Sequence, residues 1–221
     1  MSLLLRLETP SDYLPVETLT RRAFWNLYFP GCQEHYLVHT MRSHPNFLPE
    51  YDFVAELDGV LVGSILYTRT WLLDEQDRPL DILTFGPVCV LPEYQRQGIG
   101  SALIRHTAEL AIQRGEKAIV IFGDPHNYCK HGFKNGKDLN ISDLNGDYPH
   151  GMLALELYPG SLEGDGAPGA LSGHAWKYRY SDVYQVDEAA VEAFDQGFEP
   201  LEKGYQYTQD IFAINIRSYL R

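Results

Sequence analysis

Cysteine is scarce in this 221-residue chain: Cys32, Cys89 and Cys129 are the full set. An odd number at wide spacing does not build a disulfide framework and points to a reducing compartment. Long apolar runs are missing too. No stretch approaches the roughly 18 apolar residues that a membrane span needs. The opening Met1-Ser2-Leu3-Leu4-Leu5-Arg6 is too short in its apolar part for a signal peptide and has no basic region before it. Together these absences predict a cytoplasmic protein with no membrane partner. Basic charge is the third shortage. There are 18 Lys and Arg against 30 Asp and Glu, a net charge of -12. Such a surface repels phosphate backbones, so nucleic acid is a poor partner. Solubility is a simpler reading of the acidity than steering of a substrate.

What is present is a globular composition. The chain is 44% hydrophobic and 22% charged, and its 19 Gly and 13 Pro are scattered. That suits one domain, or one domain with an extension. Leu3 to Glu8 reads as a strand, and Thr9-Pro10-Ser11-Asp12 opens a helix with a cap and a proline at its first position. A second helix spans Gln33 to about Arg42. Tyr51 to Leu57 and Val60 to Thr70 read as strands joined by an Asp58-Gly59 hairpin. Leu80 to Val90 reads as a strand bent or interrupted at Gly86-Pro87. Ile99 to Arg114 is a helix stopped by Gly115, with Ile99, Leu103, Leu110 and Ala111 toward one face. Ala118 to Phe122 is a buried-type strand. Gly123-Asp124-Pro125 breaks it and starts a short helix through His131. Met152 to Leu157 is a later strand, Pro159 to His174 a Gly-rich surface loop, and Asp187 to Phe194 a helix. Tyr205 to Leu220 is open between strand and helix. The order predicts an α/β fold with a mixed, mostly antiparallel central sheet flanked by helices.

The segment from Val88 to Ser101 carries the chemistry. A strand ends, a polar stretch follows, and Gly98 and Gly100 stand at a helix start. Helix N-termini offer unpaired N–H groups and a positive dipole end to phosphate oxygens. Glycines let a pyrophosphate approach the backbone, and Arg96 adds a charge-assisted contact. A plain strand-to-helix turn would look similar. A Walker loop requires Gly-Lys-Ser/Thr, which is absent. A dinucleotide fingerprint requires a third glycine where Leu103 stands, with the glycines directly after the strand, although Asp124 lies roughly where a ribose-binding acid would.

The string Val88-Cys89-Val90-Leu91-Pro92-Glu93-Tyr94-Gln95-Arg96-Gln97-Gly98-Ile99-Gly100-Ser101 resembles the central motif of the GNAT superfamily of acyl-CoA N-acyltransferases. Val54 to Gly63 resembles the hairpin before that motif, and Leu5 to Asp12 the opening strand and helix. Gly123-Asp124-Pro125, Tyr128 and Gly132-Phe133 resemble the segment after it. The resemblance covers residues 3–157 as an acetyltransferase domain and leaves 158–221 as a C-terminal extension packed on it. It implies that Val88, Cys89 and Val90 pair with the pantetheine arm of acetyl-CoA. It also implies that Arg96, Gln97, Gly98, Ile99, Gly100 and Ser101 hold the pyrophosphate. The strand starting near Ala118 should splay from the Val88 strand to admit the thioester.

The implied reaction is direct attack of an amine on the acetyl thioester, with a backbone N–H near Val90 polarising the carbonyl. No metal is required. Tyr128 matches the position where the family often carries a tyrosine general acid. A phenol is protonated at neutral pH and can donate to the leaving sulfur. Packing or positioning of the sulfur is the alternative role for Tyr128. Asp81, early on the strand that leads to the motif, is a candidate base, with an exposed strand-start carboxylate as the plainer reading. His126 and His131 flank Tyr128 and can relay protons. With Cys129 they supply three zinc ligands at most, without a fourth. Cys129 as a nucleophile lacks any sign of an activated thiol. The acceptor is a small-molecule or peptide amine of unspecified kind. The Pro159–His174 loop and the extension are candidates to cover the acceptor site or to form a homodimer contact. A non-catalytic acyl-CoA-binding module is the competing reading.

Overall fold

The computed structural model describes residues 2–162 and 175–221, so most of the expected Gly-rich loop, from 163 to 174, lies outside the described residues. The strands along the chain are β1 (Leu3–Leu7), β2 (Phe53–Leu57), β3 (Val60–Leu73), β4 (Pro79–Val90), β5 (Ala118–Phe122), β6 (Lys134–Asn135), β7 (Ile141–Ser142), β8 (Met152–Glu156) and β9 (Trp176–Arg179). The helices are α1 (Tyr13–Phe24), α2 (Glu34–Met41), α3 (Ile99–Gln113), α4 (Pro125–Tyr128), α5 (Glu188–Asp195) and α6 (Tyr207–Asn215). Strand pairings are mostly antiparallel, with parallel pairs at β4–β5 and β7–β9. The expected fold class holds.

Local chemistry accounts for the main boundaries. The Thr9 N–H donates to Asp12 Oδ2 at 2.9 Å, and Arg6 clamps the same carboxylate, which fixes the entry into α1. Asp58 and Gly59 both adopt positive φ, as a two-residue hairpin requires. At the end of α3, Gly115 has φ +76, with Gly115 N–H bonded to Ile112 O and Glu116 N–H to Ala111 O. Those two bonds satisfy carbonyls that the last helical turn leaves over. Of the two expectations for Gly86-Pro87, bent or interrupted, interruption is corrected: β4 is a continuous strand through this cis peptide bond. The hydrogen bonding to β3 is carried on past the proline, where Leu91 N–H donates to Val62 O at 2.9 Å.

Two compact units divide the chain. The first comprises Met1–Tyr67, Gly86–Ile104 and Asp182–Ala213. In it β1 pairs antiparallel with β2, and β2 with β3, with a bulge between Ala55 and Glu56. Its core packs Val16 of α1 and Val38 and Met41 of α2 against Val54, Leu66 and Val183. A smaller cluster joins Leu19 to Cys89 and Leu91. Arg42 bridges two enclosed carboxylates, donating to both oxygens of Glu8 at 2.7 and 2.8 Å and to Glu17 at 2.7 Å.

The second unit comprises Thr68–Phe85, Arg105–Ser181 and Ile214–Arg221. β5 pairs antiparallel with β8 from Ala118↔Glu156 to Phe122↔Met152, and β8 pairs with β6. β4 joins β5 in parallel at Leu83↔Ile119. β9 pairs with the end of β3 and with β7. Its core gathers Leu72, Ile82, Ala118, Val120, Met152 and Trp176, among others. β9 was not anticipated. Its four residues do alternate buried and exposed, but the run is short and lies beside the Gly-rich stretch. Residues 205–220, open in the sequence, form α6 followed by an irregular tail whose Leu220 N–H donates to Tyr148 O. Among the described residues no helix is long and apolar enough to cross a membrane, and all three cysteines are free.

Candidate active site

The end of β4 and the start of α3 lie together in the first unit. Cys89 points into the core, its sulfur 3.4 Å from Thr20 Oγ1 and 3.3 Å from Ser64 Oγ, while its neighbours Val88 and Val90 are half-buried. Burial pushes the Cys89 thiol upward in pKa, so it is a packing group rather than a nucleophile. Gly63 on β3 makes this assembly close-packed. A Cβ there would lie 3.0 Å from the Cys89 carbonyl oxygen and 3.4 Å from both Ile99 and Leu103.

Beyond β4 the chain turns through Pro92–Tyr94, and Arg22 of α1 holds Glu93 through both carboxylate oxygens at 3.0 and 3.2 Å. Gln95 Nε2 donates to Val90 O at 3.1 Å, and Gln97 Nε2 to Glu93 O at 3.3 Å. Those bonds shape a loop whose backbone is unusual. Arg96 has φ +59, rare for a side chain of its size, and Gly98 has φ +85. Residues 95–98 are exposed, whereas Ile99 is buried and anchors the helix start. Ala102 N–H donates to Gly98 O at 2.9 Å as α3 begins. The N–H groups of Ile99 and Gly100 therefore precede the intrahelical ladder, at the positive end of the dipole. A Cβ on Gly98 would meet no atom within 4 Å, and one on Gly100 only Val90 Cγ2 at 3.7 Å. The approach to those amides is open, with the exposed Arg96 and the half-buried Ser101 in the same loop. This arrangement suits a bound diphosphate.

Tyr128 belongs to the second unit. Its half-buried ring joins Phe85 and Phe133 in a three-ring cluster, with centroids 5.9–6.0 Å apart. Asp124 caps α4 by accepting from His126 N–H at 2.9 Å, which places Tyr128 at the end of that single turn. The ring lies on Gly123 so closely that a Cβ there would stand 2.4 Å from Tyr128 Cε2. Asp81 is exposed, the third residue of β4, in the same unit. His126 and Cys129 are exposed. His131 has its pKa lowered by burial first, and then by Lys130 and Arg105. No group of residues able to hold a metal ion occurs among the described residues.

Sequence reasoning missed a second cluster in the first unit, around the connection from α1 to α2. Asn26, at φ 60, is its hub. Its Oδ1 accepts from Gly31 N–H at 2.8 Å and Gly204 N–H at 3.1 Å, and its Nδ2 donates to Glu202 O at 3.0 Å. Trp25 Nε1 donates to the same Glu202 oxygen, Thr208 to Leu27 O and Gln209 to Asn26 O. Phe212 stacks on Tyr28 at 4.6 Å. The C-terminal extension thus straps this connection. Beyond the connection lie Cys32, Glu34 and the fully buried His35, which packs on Phe194 and Phe198. Arg21 holds Asp195 nearby at 2.6 Å. An Asn in a Pro- and Gly-rich connection is the one local signal; its partners Glu202 and Gly204 lie more than 170 residues away.

Residues 21–133 match the model of the acetyltransferase (GNAT) family. An uncharacterized N-acetyltransferase of Escherichia coli K12, YjhQ, is 34% identical over 124 residues, which is 56% of this chain and 64% of that relative's length. The crystal structure of the E. coli GNAT family N-acetyltransferase YhbS in complex with CoA superposes with a TM-score of 0.68 at 22% identity, covering 83% of this chain and 92% of that one. A GNAT family acetyltransferase from Brucella melitensis in complex with acetyl-CoA gives 0.60 at 24% identity, covering 83% of this chain and 98% of that one. The family model spans the strand, loop and helix just described, and the chain belongs to the GNAT acetyltransferase family.

Proposed function

We propose that this protein transfers an acetyl group from acetyl-CoA to an amine, small-molecule or peptide, by direct attack in the cytoplasm. The observation that carries the reading is the loop from Gln95 to Ser101. It combines positive φ at Arg96 and Gly98, open space above Gly98 and helix-start amides at Ile99 and Gly100. Such a surface supports binding of the CoA pyrophosphate, with Arg96, Gln97, Gly98, Ile99, Gly100 and Ser101 as its residues. Val88, Cys89 and Val90 supply the strand backbone for the pantetheine arm, and bound acetyl-CoA supplies the activated acyl group. Family relatives with CoA and acetyl-CoA in their crystal structures support the same donor.

Tyr128 is the proposed proton donor to the leaving sulfur. Its ring is held by Phe85, Phe133 and Gly123, which fixes where the phenol points. Asp81, exposed on β4, is the sequence-level base candidate and draws no added support from its surroundings.

The test is calorimetric titration with CoA, followed by thiol release from acetyl-CoA over an amine panel. Gly98→Ala places a side chain at φ +85, and Gly98→Trp also fills the phosphate approach. Both should weaken CoA binding, the tryptophan most. Unchanged affinity in Gly98→Trp would remove the loop assignment. Tight CoA binding without turnover on any amine would favour the acyl-CoA-binding module.

A further inference from the structure

β4 and β5 come together at one residue pair, Leu83↔Ile119, with no further ladder between them among the described residues. Past that pair Thr84 and Phe85 stand on one side and Val120 to Phe122 on the other, all in the second unit. Successive side chains of a strand point to opposite faces. Both strands sort the aromatic residues here in the same way. On one face the Phe85 ring is 5.9 Å from the Tyr128 ring, and Gly123 lies against that same ring. On the other face Thr84 Oγ1 is 2.6 Å from the Tyr178 hydroxyl, and the Phe122 ring is 6.0 Å from the Tyr178 ring. The parting ends of the two strands therefore carry Tyr128 on one face and Tyr178 on the other.

The Tyr178 ring is fixed from within. It is 2% exposed, and its hydroxyl turns inward to Thr84, which pairs in turn with Thr70 at 2.8 Å. Burial pushes the Tyr178 phenol up to about 12, so the ring stays uncharged. Its two aromatic neighbours reach solvent. Phe122 is 57% exposed and Tyr180 is 45% exposed, with the Tyr180 ring 6.5 Å from that of Tyr178. A single exposed apolar side chain is ordinary on a protein surface. Three rings in tilted contact are a different matter. The middle one is held by hydrogen bonds and the outer two are open, so they offer stacking to a ring that arrives from outside.

We propose that Phe122 and Tyr180, backed by Tyr178, bind an aromatic ring of the acceptor, so that the acceptor is an arylalkylamine. This rests on the acetyl-transfer reading above, in which Tyr128 serves the leaving sulfur. Phe122 directly precedes Gly123, so the ring subsite begins one Cα spacing, about 3.8 Å, from the backbone that seats Tyr128. The amine reaches the acetyl carbon from the Tyr178 face, and Tyr128 gives its proton to the sulfur from the opposite one. A ring stacked on Phe122 thus needs only a short alkyl arm to bring its amine to the parting of the strands. Phe122 and Tyr180 set specificity and take no part in the chemistry.

The test measures thiol release from acetyl-CoA with 2-phenylethylamine, 2-cyclohexylethylamine and n-butylamine, alongside CoA affinity by calorimetry. The three probes are alkylamines of the same charge, so they differ in the ring. In wild type kcat/KM for phenylethylamine should exceed that for butylamine by about tenfold and that for cyclohexylethylamine by about threefold or more, a comparison that needs no variant. Phe122→Ala and Tyr180→Ala should each lower the phenylethylamine-to-butylamine ratio of kcat/KM roughly five- to tenfold, and Phe122→Tyr should keep it. A merely structural role would lower all three amines together and leave the ratio alone. CoA affinity shows that each variant is folded. Equal kcat/KM for the phenyl and cyclohexyl amines, or an unchanged ratio in both alanine variants, overturns the proposal. Turnover of other amines without a preference for phenylethylamine removes this proposal alone. Wild type that fails to bind CoA removes the acetyl-transfer reading and this proposal with it.

Discussion

Gly123→Ala isolates the placement of Tyr128 from its chemistry. The added methyl carbon would stand 2.4 Å from Tyr128 Cε2, 2.9 Å from Cδ2 and 3.3 Å from Cζ. Carbon atoms rest about 3.5–4.0 Å apart, so the ring must retreat by roughly 1 Å or more. It cannot do so freely, because Phe85 and Phe133 pack against it. The φ of Gly123 is not in the left-handed region, so alanine adds no backbone strain and the effect is purely the collision. Overpacking of this kind costs about 1–3 kcal/mol of stability. A displacement of about 1 Å in a reacting group can lower turnover by roughly a hundredfold. The assay is kcat at saturating acetyl-CoA and amine, with CoA affinity as the control. Tyr128→Phe should also lower kcat with little change in CoA affinity. The double variant decides the matter. If Gly123 acts through the Tyr128 hydroxyl, Gly123→Ala in the Tyr128→Phe background should add almost nothing to the loss. Multiplying effects, or an unchanged kcat in Gly123→Ala, would refute the reasoning.

Asn26→Ala should destabilise the protein by about 2–4 kcal/mol, from three side-chain hydrogen bonds at about 1 kcal/mol each and a left-handed backbone that alanine disfavours by about 1 kcal/mol. Asn26→Gly should return the backbone part, and urea denaturation of the two variants separates the contributions; a loss under about 0.5 kcal/mol in both would mean the strap does not hold. His35 sets a pH dependence of stability. Burial lowers its pKa to about 4, against about 6.5 in an unfolded chain. Between those values the unfolded chain binds a proton that the folded one refuses, so the stability is fully present above about pH 6.5 and is lost as pH falls toward 4. The limit is roughly 3 kcal/mol. Denaturation midpoints for wild type should drop across that window, and those of His35→Phe should drop less; parallel curves would refute the assignment.

The backbone of the loop proposed for the donor was legible because its signals are local. Gly98 and Gly100 at a helix start, after a strand and a polar turn, state a backbone geometry that any fold must accommodate, and the helix-start amides follow from hydrogen-bond counting alone. The same holds for the Asp58-Gly59 hairpin, the Gly115 stop and the short helix started at Gly123-Asp124-Pro125. Less legible were elements whose stability comes from distant partners. β9 is four residues long and exists because β3 and β7 flank it. Residues 207–215 carry tyrosine, threonine and isoleucine that suit a strand as well as a helix. Thr208, Gln209 and Phe212 find Leu27, Asn26 and Tyr28, and that contact selects the helix. The loop from 163 to 174 lies outside the described residues.

The sequence by itself determined the fold class, the family motif and the strand–loop–helix turn from Val88 to Ser101, because these rest on spacing within a few residues. Tertiary structure alone decided which side chains are enclosed and what they lack. Glu34 reads in the sequence as an ordinary first-turn acid at a helix start. Only the folded chain shows that its Oε2 accepts from the Cys32 thiol and the Gln33 amide, since pairing and desolvation are properties of neighbours brought together by folding.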